Sequence, residues 1–157
     1  MTSNLLPPTP NVVRRGQIYW VDWSPGRGSE QQGHRPALVI SLDSFNKVMD
    51  TVVVAAMTTK VKESTRNGTS PVTLFLPKGD PMDVEGSVLG FQVMTVSKMR
   101  LDKLAGEISR EQQLEVDKIL ATSFGLKVVA PATPPVASVQ TGPPRPGPPG
   151  NLTRPQG

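Results

Sequence analysis

The chain of 157 residues contains no cysteine and one histidine, His34. Disulfides and thiolate metal sites are therefore excluded, which fits a reducing cytosol. A zinc centre would have to be assembled around a single imidazole. No apolar run approaches the about 20 residues needed to span a bilayer. No basic segment precedes Leu5-Leu6, and Pro7, Pro8 and Pro10 follow, so no secretory signal is expected and the protein reads as cytoplasmic. There is no internal repeat and no G-x-S-x-G elbow to present a serine nucleophile. Gly26-Arg27-Gly28 begins like a dinucleotide-binding loop, but position 31 is glutamine and the segment leads into a strand, whereas that loop must open a helix. Asp80, Asp83 and Glu85 lie close together, yet Pro81 and Gly86 mark an acidic turn of a kind common without metal. Neither a metal nor another cofactor is expected.

What is present is concentrated in residues 26–36. Three glycines make this segment a loop, and it carries a carboxylate, two amides, a hydroxyl, an imidazole and two guanidiniums. Such a density of hydrogen-bonding groups suits a binding or catalytic loop, not a core. Pro36 then fixes the backbone where the chain enters the apolar run 37–42, so Arg35 stands where loop meets sheet.

Residues 17–23 alternate polar and apolar, the pattern of a half-buried strand. Residues 37–42 and 51–57 are continuous apolar, β-branched-rich runs, which predicts strands buried on both faces. Residues 72–76 and 87–96 continue the series between turn signals at Asn67-Gly68 and Lys78-Gly79-Asp80-Pro81. This spacing predicts a small, strongly bent sheet or partly open barrel. One helix follows, with Ser109 and Gln112 as a capping box, an apolar stripe of Val116, Ile119, Leu120 and Phe124, and Gly125 as its stop. Residues 1–13 read as a disordered leader and residues 14–129 as the folded domain. Residues 130–157, with nine of the seventeen prolines, read as a disordered tail. Charge is uneven: residues 1–78 hold nine Lys/Arg against five Asp/Glu, and residues 79–129 hold six against eight. The basic half contains the loop and suits an anionic partner such as nucleic acid.

Glu30, His34, Arg35 and nearby hydroxyls form a set of groups that needs no metal. Such a set suits cleavage of RNA by its own 2′-hydroxyl. That reaction requires a base for the 2′-OH, a cation to stabilise charge on phosphorus, and an acid for the departing 5′-oxygen.

Four blocks then carry a specific resemblance. They are Arg15-Gly16-Gln17-Ile18-Tyr19-Trp20-Val21-Asp22, the block Gly28-Ser29-Glu30-Gln31-x-Gly33-His34-Arg35-Pro36-Ala37-Leu38-Val39-Ile40-Ser41, Val52-Val53-Val54-Ala55-Ala56-Met57-Thr58-Thr59, and Val88-Leu89-Gly90-Phe91-Gln92-Val93-Met94-Thr95-Val96 followed by Arg100-Leu101. In this order, across about residues 14–127, they resemble the MazF/PemK (Kid-like) endoribonuclease toxins of toxin–antitoxin systems. The resemblance implies a mainly β (α+β) fold: a small SH3-like, partly open β-barrel with appended helices, including a C-terminal helix. It also implies a homodimer, sequence-specific and metal-independent cleavage of single-stranded RNA, and neutralisation by a cognate antitoxin. Arg35 matches the family's essential arginine, Thr58 its essential threonine and Glu30 its acidic loop residue. Phe91 departs from the pattern, since many relatives carry Asp or Glu there.

The expected catalytic residues are thus Arg35, Thr58 and Glu30, with Arg27, Ser29, Gln31, His34, Thr59 and Gln92 contacting RNA. Arginine keeps its proton at neutral pH, so it is a poor base and acts as an electrostatic clamp. Glu30 is the better candidate to take the 2′-OH proton, with Thr58 donating to a phosphate oxygen. His34 could share that acid–base work. Two other roles stay open: Glu30 could instead orient Arg35 through a salt bridge, and Thr58 could simply end a strand. Toxins of the same fold that poison DNA gyrase without cutting RNA form the main alternative, and a peptide-binding barrel is a third. The Arg35–Thr58 pairing argues against the gyrase reading.

Overall fold

The computed structural model describes residues 12–30 and 32–127. Most of the leader, Gln31 and the proline-rich tail expected from the sequence lie outside the described residues. The elements follow in the order β1 (Gln17–Asp22), β2 (His34–Val39), α1 (Asp43–Val48), β3 (Thr51–Thr58), α2 (Glu63–Arg66), β4 (Thr73–Leu76) and β5 (Gly86–Ser97). A 3-10 turn (Lys98–Arg100), β6 (Leu101–Glu107) and α3 (Arg110–Phe124) complete the described residues. Among the described residues no helix is long and apolar enough to cross a membrane.

The six strands form one antiparallel sheet in the order β4-β5-β3-β2-β1-β6. β4 and β6 are its two edges, so the curled sheet stays partly open. The mainly β architecture with short helices and a C-terminal helix is the one the sequence predicts. The long strand β5 serves two partners: its first residues pair with β4 and with Met57 and Thr58, and its later residues with residues 51–55 of β3. A register shift between Ala55 and Met57 separates these two stretches. Such irregularities bend a strand and sharpen its twist.

Because side chains alternate across a strand, the apolar runs divide between two cores. Tyr19, Val21, Ala37, Val39, Val52, Val54 and Ala56 build one, closed by Val96 and Leu101. Ile18, Leu38, Ala55, Met57 and Val88 build the other, covered by Val116 and Ile119 of α3. The continuous apolar runs of β2 and β3 are therefore buried on both faces, as expected. β1 departs from the half-buried pattern that its alternation predicts, since Gln17, Ile18, Tyr19 and Val21 are all buried. Its place between β2 and β6 gives it a core on each side. The one apparently core-averse residue, Gln17, is satisfied locally, with its Oε1 accepting from Arg14 N at 2.8 Å and from the Tyr19 hydroxyl at 3.1 Å.

α3 begins with the predicted capping box. Ser109 Oγ accepts from Gln112 N at 3.1 Å, and Ser109 N donates to Gln112 Oε1 at 2.7 Å. Gly125 ends the helix in the left-handed region at φ 64°. The apolar stripe is shorter than predicted, because Phe124 is half exposed. At about 100° per residue, Phe124 stands about 140° around the helix from buried Ile119. At the edge strand, an added Cβ at Gly106 of β6 would meet the Pro81 carbonyl oxygen at 2.5 Å. That close approach holds the β4–β5 connection against the edge strand.

Candidate active site

β2 opens on His34-Arg35-Pro36, and strand alternation sends the first two side chains to opposite faces. Arg35 shares the face of Ala37 and Val39, while Thr58, the last residue of β3, shares the face of Val54 and Ala56. Both therefore project from the same side of the sheet, where that core ends at its rim. Ser87 at the start of β5 is the register partner of Thr58, and its neighbour Val88 faces the other core, so Ser87 projects with Thr58.

These residues line an open cleft of about 690 Å³. Glu30, Arg35, Thr58 and Gln92 all lie on it, together with Lys60 and Lys62 from the segment after β3. Three cations face one carboxylate, so the cleft attracts an anion. The Arg35 Nε donates to the Gln32 carbonyl at 2.9 Å, which fixes the guanidinium from the loop side. Among the described residues Arg35 has no carboxylate partner. Its remaining N–H donors are not committed to an ion pair.

Glu30 is held by its own loop. Its Oε2 accepts from Arg27 N at 3.0 Å, and its own N donates to the Arg27 carbonyl at 3.1 Å. Among the described residues no salt bridge joins Glu30 to Arg35. Thr58 Oγ1 accepts from Lys60 N at 3.1 Å, which leaves its hydroxyl proton to donate elsewhere. Ser87 Oγ is buried without a hydrogen-bond partner among the described residues.

The other predicted contacts are distributed around this cleft. Gln92 is on its wall, and Ser29 lines an adjoining depression that also includes Glu30. Arg27 and Thr59 are exposed but do not line the cleft. Gln31 lies outside the described residues. His34 is not brought to Arg35 and Thr58. It stacks on Trp20, with ring centroids 5.4 Å apart and planes 15° from parallel, and its Nε2 lies 3.1 Å from Asp102 Oδ2. It lines a separate groove with Asp22 and Arg100. The Asp22 carboxyl there is held below its usual range, first of all by the backbone N–H of Ser24 donating to it at 2.9 Å.

Lys60, Lys62 and Ser87 belong to the cleft but were not anticipated. The chain bends at residues 59–60 as soon as β3 ends, so no strand spacing marked the two lysines for the cleft. Beside the cleft, the Arg66 guanidinium grips Glu85 with two hydrogen bonds of 2.8 and 2.9 Å and lies over the Phe75 ring at 5.1 Å. That pairing holds the Glu85 carboxyl below its ordinary range. It also removes the one acidic residue of the 80–85 turn that stands close to α2 from any other use.

Residues 14–124 match the family described as PemK-like, MazF-like toxin of type II toxin–antitoxin system. Among solved structures, the chain is similar to MazF from Deinococcus radiodurans at 26% identity and a TM-score of 0.63. That match covers 74% of this chain and 100% of that one. An endoribonuclease from a mycobacterial species matches at 26% identity and a TM-score of 0.59, covering 74% of this chain and 94% of that one. A mycobacterial endoribonuclease in complex with its cognate antitoxin matches at 26% identity and a TM-score of 0.60, with 73% and 97% covered.

Proposed function

The chain belongs to the PemK-like, MazF-like toxins of type II toxin–antitoxin systems, and from that premise we propose that it is a sequence-specific endoribonuclease. It cuts single-stranded RNA in the cytoplasm without a metal ion, with the substrate's own 2′-hydroxyl as nucleophile. The observation that carries this reading is the convergence of Arg35, Thr58 and Glu30 on one cationic cleft.

The phosphodiester binds where Arg35, Lys60 and Lys62 offset its charge. Glu30 exchanges its hydrogen bond from Arg27 N for the 2′-OH and takes that proton. The 2′-oxygen attacks phosphorus, and the bond from phosphorus to the 5′-oxygen breaks. Arg35 and the Thr58 hydroxyl donate to the non-bridging oxygens as their charge grows. The cleft is open to water, which supplies the proton taken up by the departing 5′-oxygen. The fragments end in a 2′,3′-cyclic phosphate and a 5′-hydroxyl. His34, on the other face of β2, contributes from outside this constellation, along the path of the bound strand.

The active form is a homodimer, because β4 and β6 leave two strand edges and an exposed apolar surface to cover. An acidic segment of the cognate antitoxin blocks the cleft by competing for the same cations. The deciding experiment incubates the purified protein with a long mixed RNA and then with a short RNA spanning one mapped cut. The short RNA should be cleaved, and one 2′-deoxy substitution at the cut nucleotide should abolish cleavage. Intact RNA together with stalled DNA gyrase would establish the gyrase-poisoning alternative instead. A monomeric mass in sedimentation equilibrium at micromolar concentration would remove the dimer.

A further inference from the structure

One wall of the cleft is the connection between β3 and β4, residues 59–72, which contributes Lys60, Lys62 and Ser64. Apart from the short α2 this connection lies outside regular structure, so its fastenings decide where the two lysines stand. In its middle it folds on itself, with Thr69 N and Ser70 N both donating to the Ser64 carbonyl at 2.9 Å. Its ends are tied to the sheet. Lys60 N donates to Thr58 Oγ1 at 3.1 Å, and the Val72 carbonyl accepts from Gly90 N at 2.9 Å. Between those ends the Thr65 and Thr73 hydroxyls meet at 2.9 Å, and the Arg66 guanidinium reaches across to the Glu85 carboxylate. Glu85 stands directly before β5, two residues from Ser87, the register partner of Thr58. Arg66 therefore fastens the lysine-bearing connection to the strand that flanks Thr58. Exposed ion pairs often contribute little, but this one is bidentate and its guanidinium is backed by the Phe75 ring. Both features hold the arginine in one plane and one direction.

We propose that Arg66 and Glu85 are a positioning pair for RNA binding, fixing the 59–72 connection so that Lys60 and Lys62 meet the phosphate beside Arg35 and Thr58. Neither member of the pair lines the cleft, so both act through the lysines and not by touching RNA. The inference rests on the reading of the cleft as an RNA-cleaving site. Glu85 gives the proposal a sign. A carboxylate near a cationic cleft repels RNA, so charge alone makes binding stronger when it is removed. Positioning makes binding weaker, because a released connection must be ordered at the moment of binding and that cost subtracts from affinity.

The test measures binding by fluorescence anisotropy, with a short RNA made uncleavable by a 2′-deoxy nucleotide at the cut. Single-turnover cleavage is measured on the parent RNA. Glu85→Ala should weaken binding by about 3- to 30-fold, as for residues that act through one another. The slope of log affinity against log salt should shrink by about 1 for each lysine released. The cleavage rate at saturating RNA should stay within about threefold of wild type, because the loss falls on binding and Arg35, Thr58 and Glu30 keep their places. Arg66→Ala should behave alike, and the double variant should be no worse than either single one. Lys62→Ala should cost less affinity in the Glu85→Ala background than in the wild type. Equal or stronger binding by Glu85→Ala would overturn the proposal, leaving the carboxylate a mere charge near the cleft. Additive losses in the double variant would overturn it by making Arg66 an RNA contact of its own. A saturated rate that falls along with the affinity would also overturn it, by tracing the loss to damage at Thr58. Wild-type protein that cuts RNA while Glu85→Ala binds it equally well refutes the pair alone. Wild-type protein that neither binds nor cuts RNA refutes the reading beneath it.

Discussion

Thr58→Val takes one hydroxyl out of the cleft and replaces it with a methyl of nearly the same shape. The hydroxyl's hydrogen bond from Lys60 N spans 3.1 Å at an exposed turn, so water can replace it. Losing it costs about 0.5–1.5 kcal/mol of stability at most. Valine keeps the β-branch favoured at the end of β3, which limits any further loss. If the hydroxyl instead donates to a phosphate oxygen as charge develops, its removal slows cleavage by about 100- to 1,000-fold. The two effects therefore differ enough to separate. Single-turnover cleavage of a short fluorogenic RNA gives the rate, and the urea midpoint of the same preparation gives the stability. Thr58→Ser keeps the hydroxyl and should recover most of the rate. A Thr58→Val rate within about tenfold of wild type would refute the role, because a preorganised donor is worth more than that. So would equal impairment in both variants, which would reduce Thr58 to the residue that ends a strand.

Three further outcomes test the fold around the site. Gly106→Ala places a Cβ against the Pro81 backbone oxygen, which cannot rotate away, and should lower stability by about 1–3 kcal/mol in urea unfolding; an unchanged midpoint would contradict the packing of β6. Arg66 holds the Glu85 carboxyl below the ordinary 4.5, so its stabilisation is complete above that value and fades as pH falls through the lower folded pKa. Glu85→Gln should flatten that acid limb, as read from urea midpoints between pH 3 and pH 6. Tyr19 is the only tyrosine, and burial raises its pKa above the ordinary 10.0. Its phenolate absorbance should therefore appear only above pH 10, with its stabilisation intact below that value and lost as pH rises through the folded pKa. Titration at the ordinary value would contradict its burial.

Much of this molecule is legible in the order of its residues. The apolar runs of β2 and β3 announce strands with a core on each face, and Ser109, Gln112 and Gly125 announce both ends of α3. β6 escaped that reading because Asp102, Lys103 and Glu107 interrupt it, as charges commonly do on an edge strand. α1 and α2, with six and four residues, are too short to show a helical period. In the site, the loop's chemistry pointed to Glu30 and Arg35 and the family resemblance added Thr58, and the cleft contains all three. His34 separates from them because it is adjacent to Arg35 in a strand, where neighbours face opposite ways. The tie between Glu30 and Arg27 N depends on the loop's own folding, which no spacing rule expresses. Lys60 and Lys62 were visible as charges, but only the bend after Thr58 brings them to the cleft.

The most direct measurement of the central claim is the chemistry of the cut ends. A short RNA spanning one cut is incubated with the protein in excess EDTA, and the fragments are weighed by mass spectrometry. The account predicts undiminished cleavage, with a 2′,3′-cyclic phosphate on one fragment and a 5′-hydroxyl on the other. A 5′-phosphate, or cleavage that returns only when Mg²⁺ is added, would contradict it.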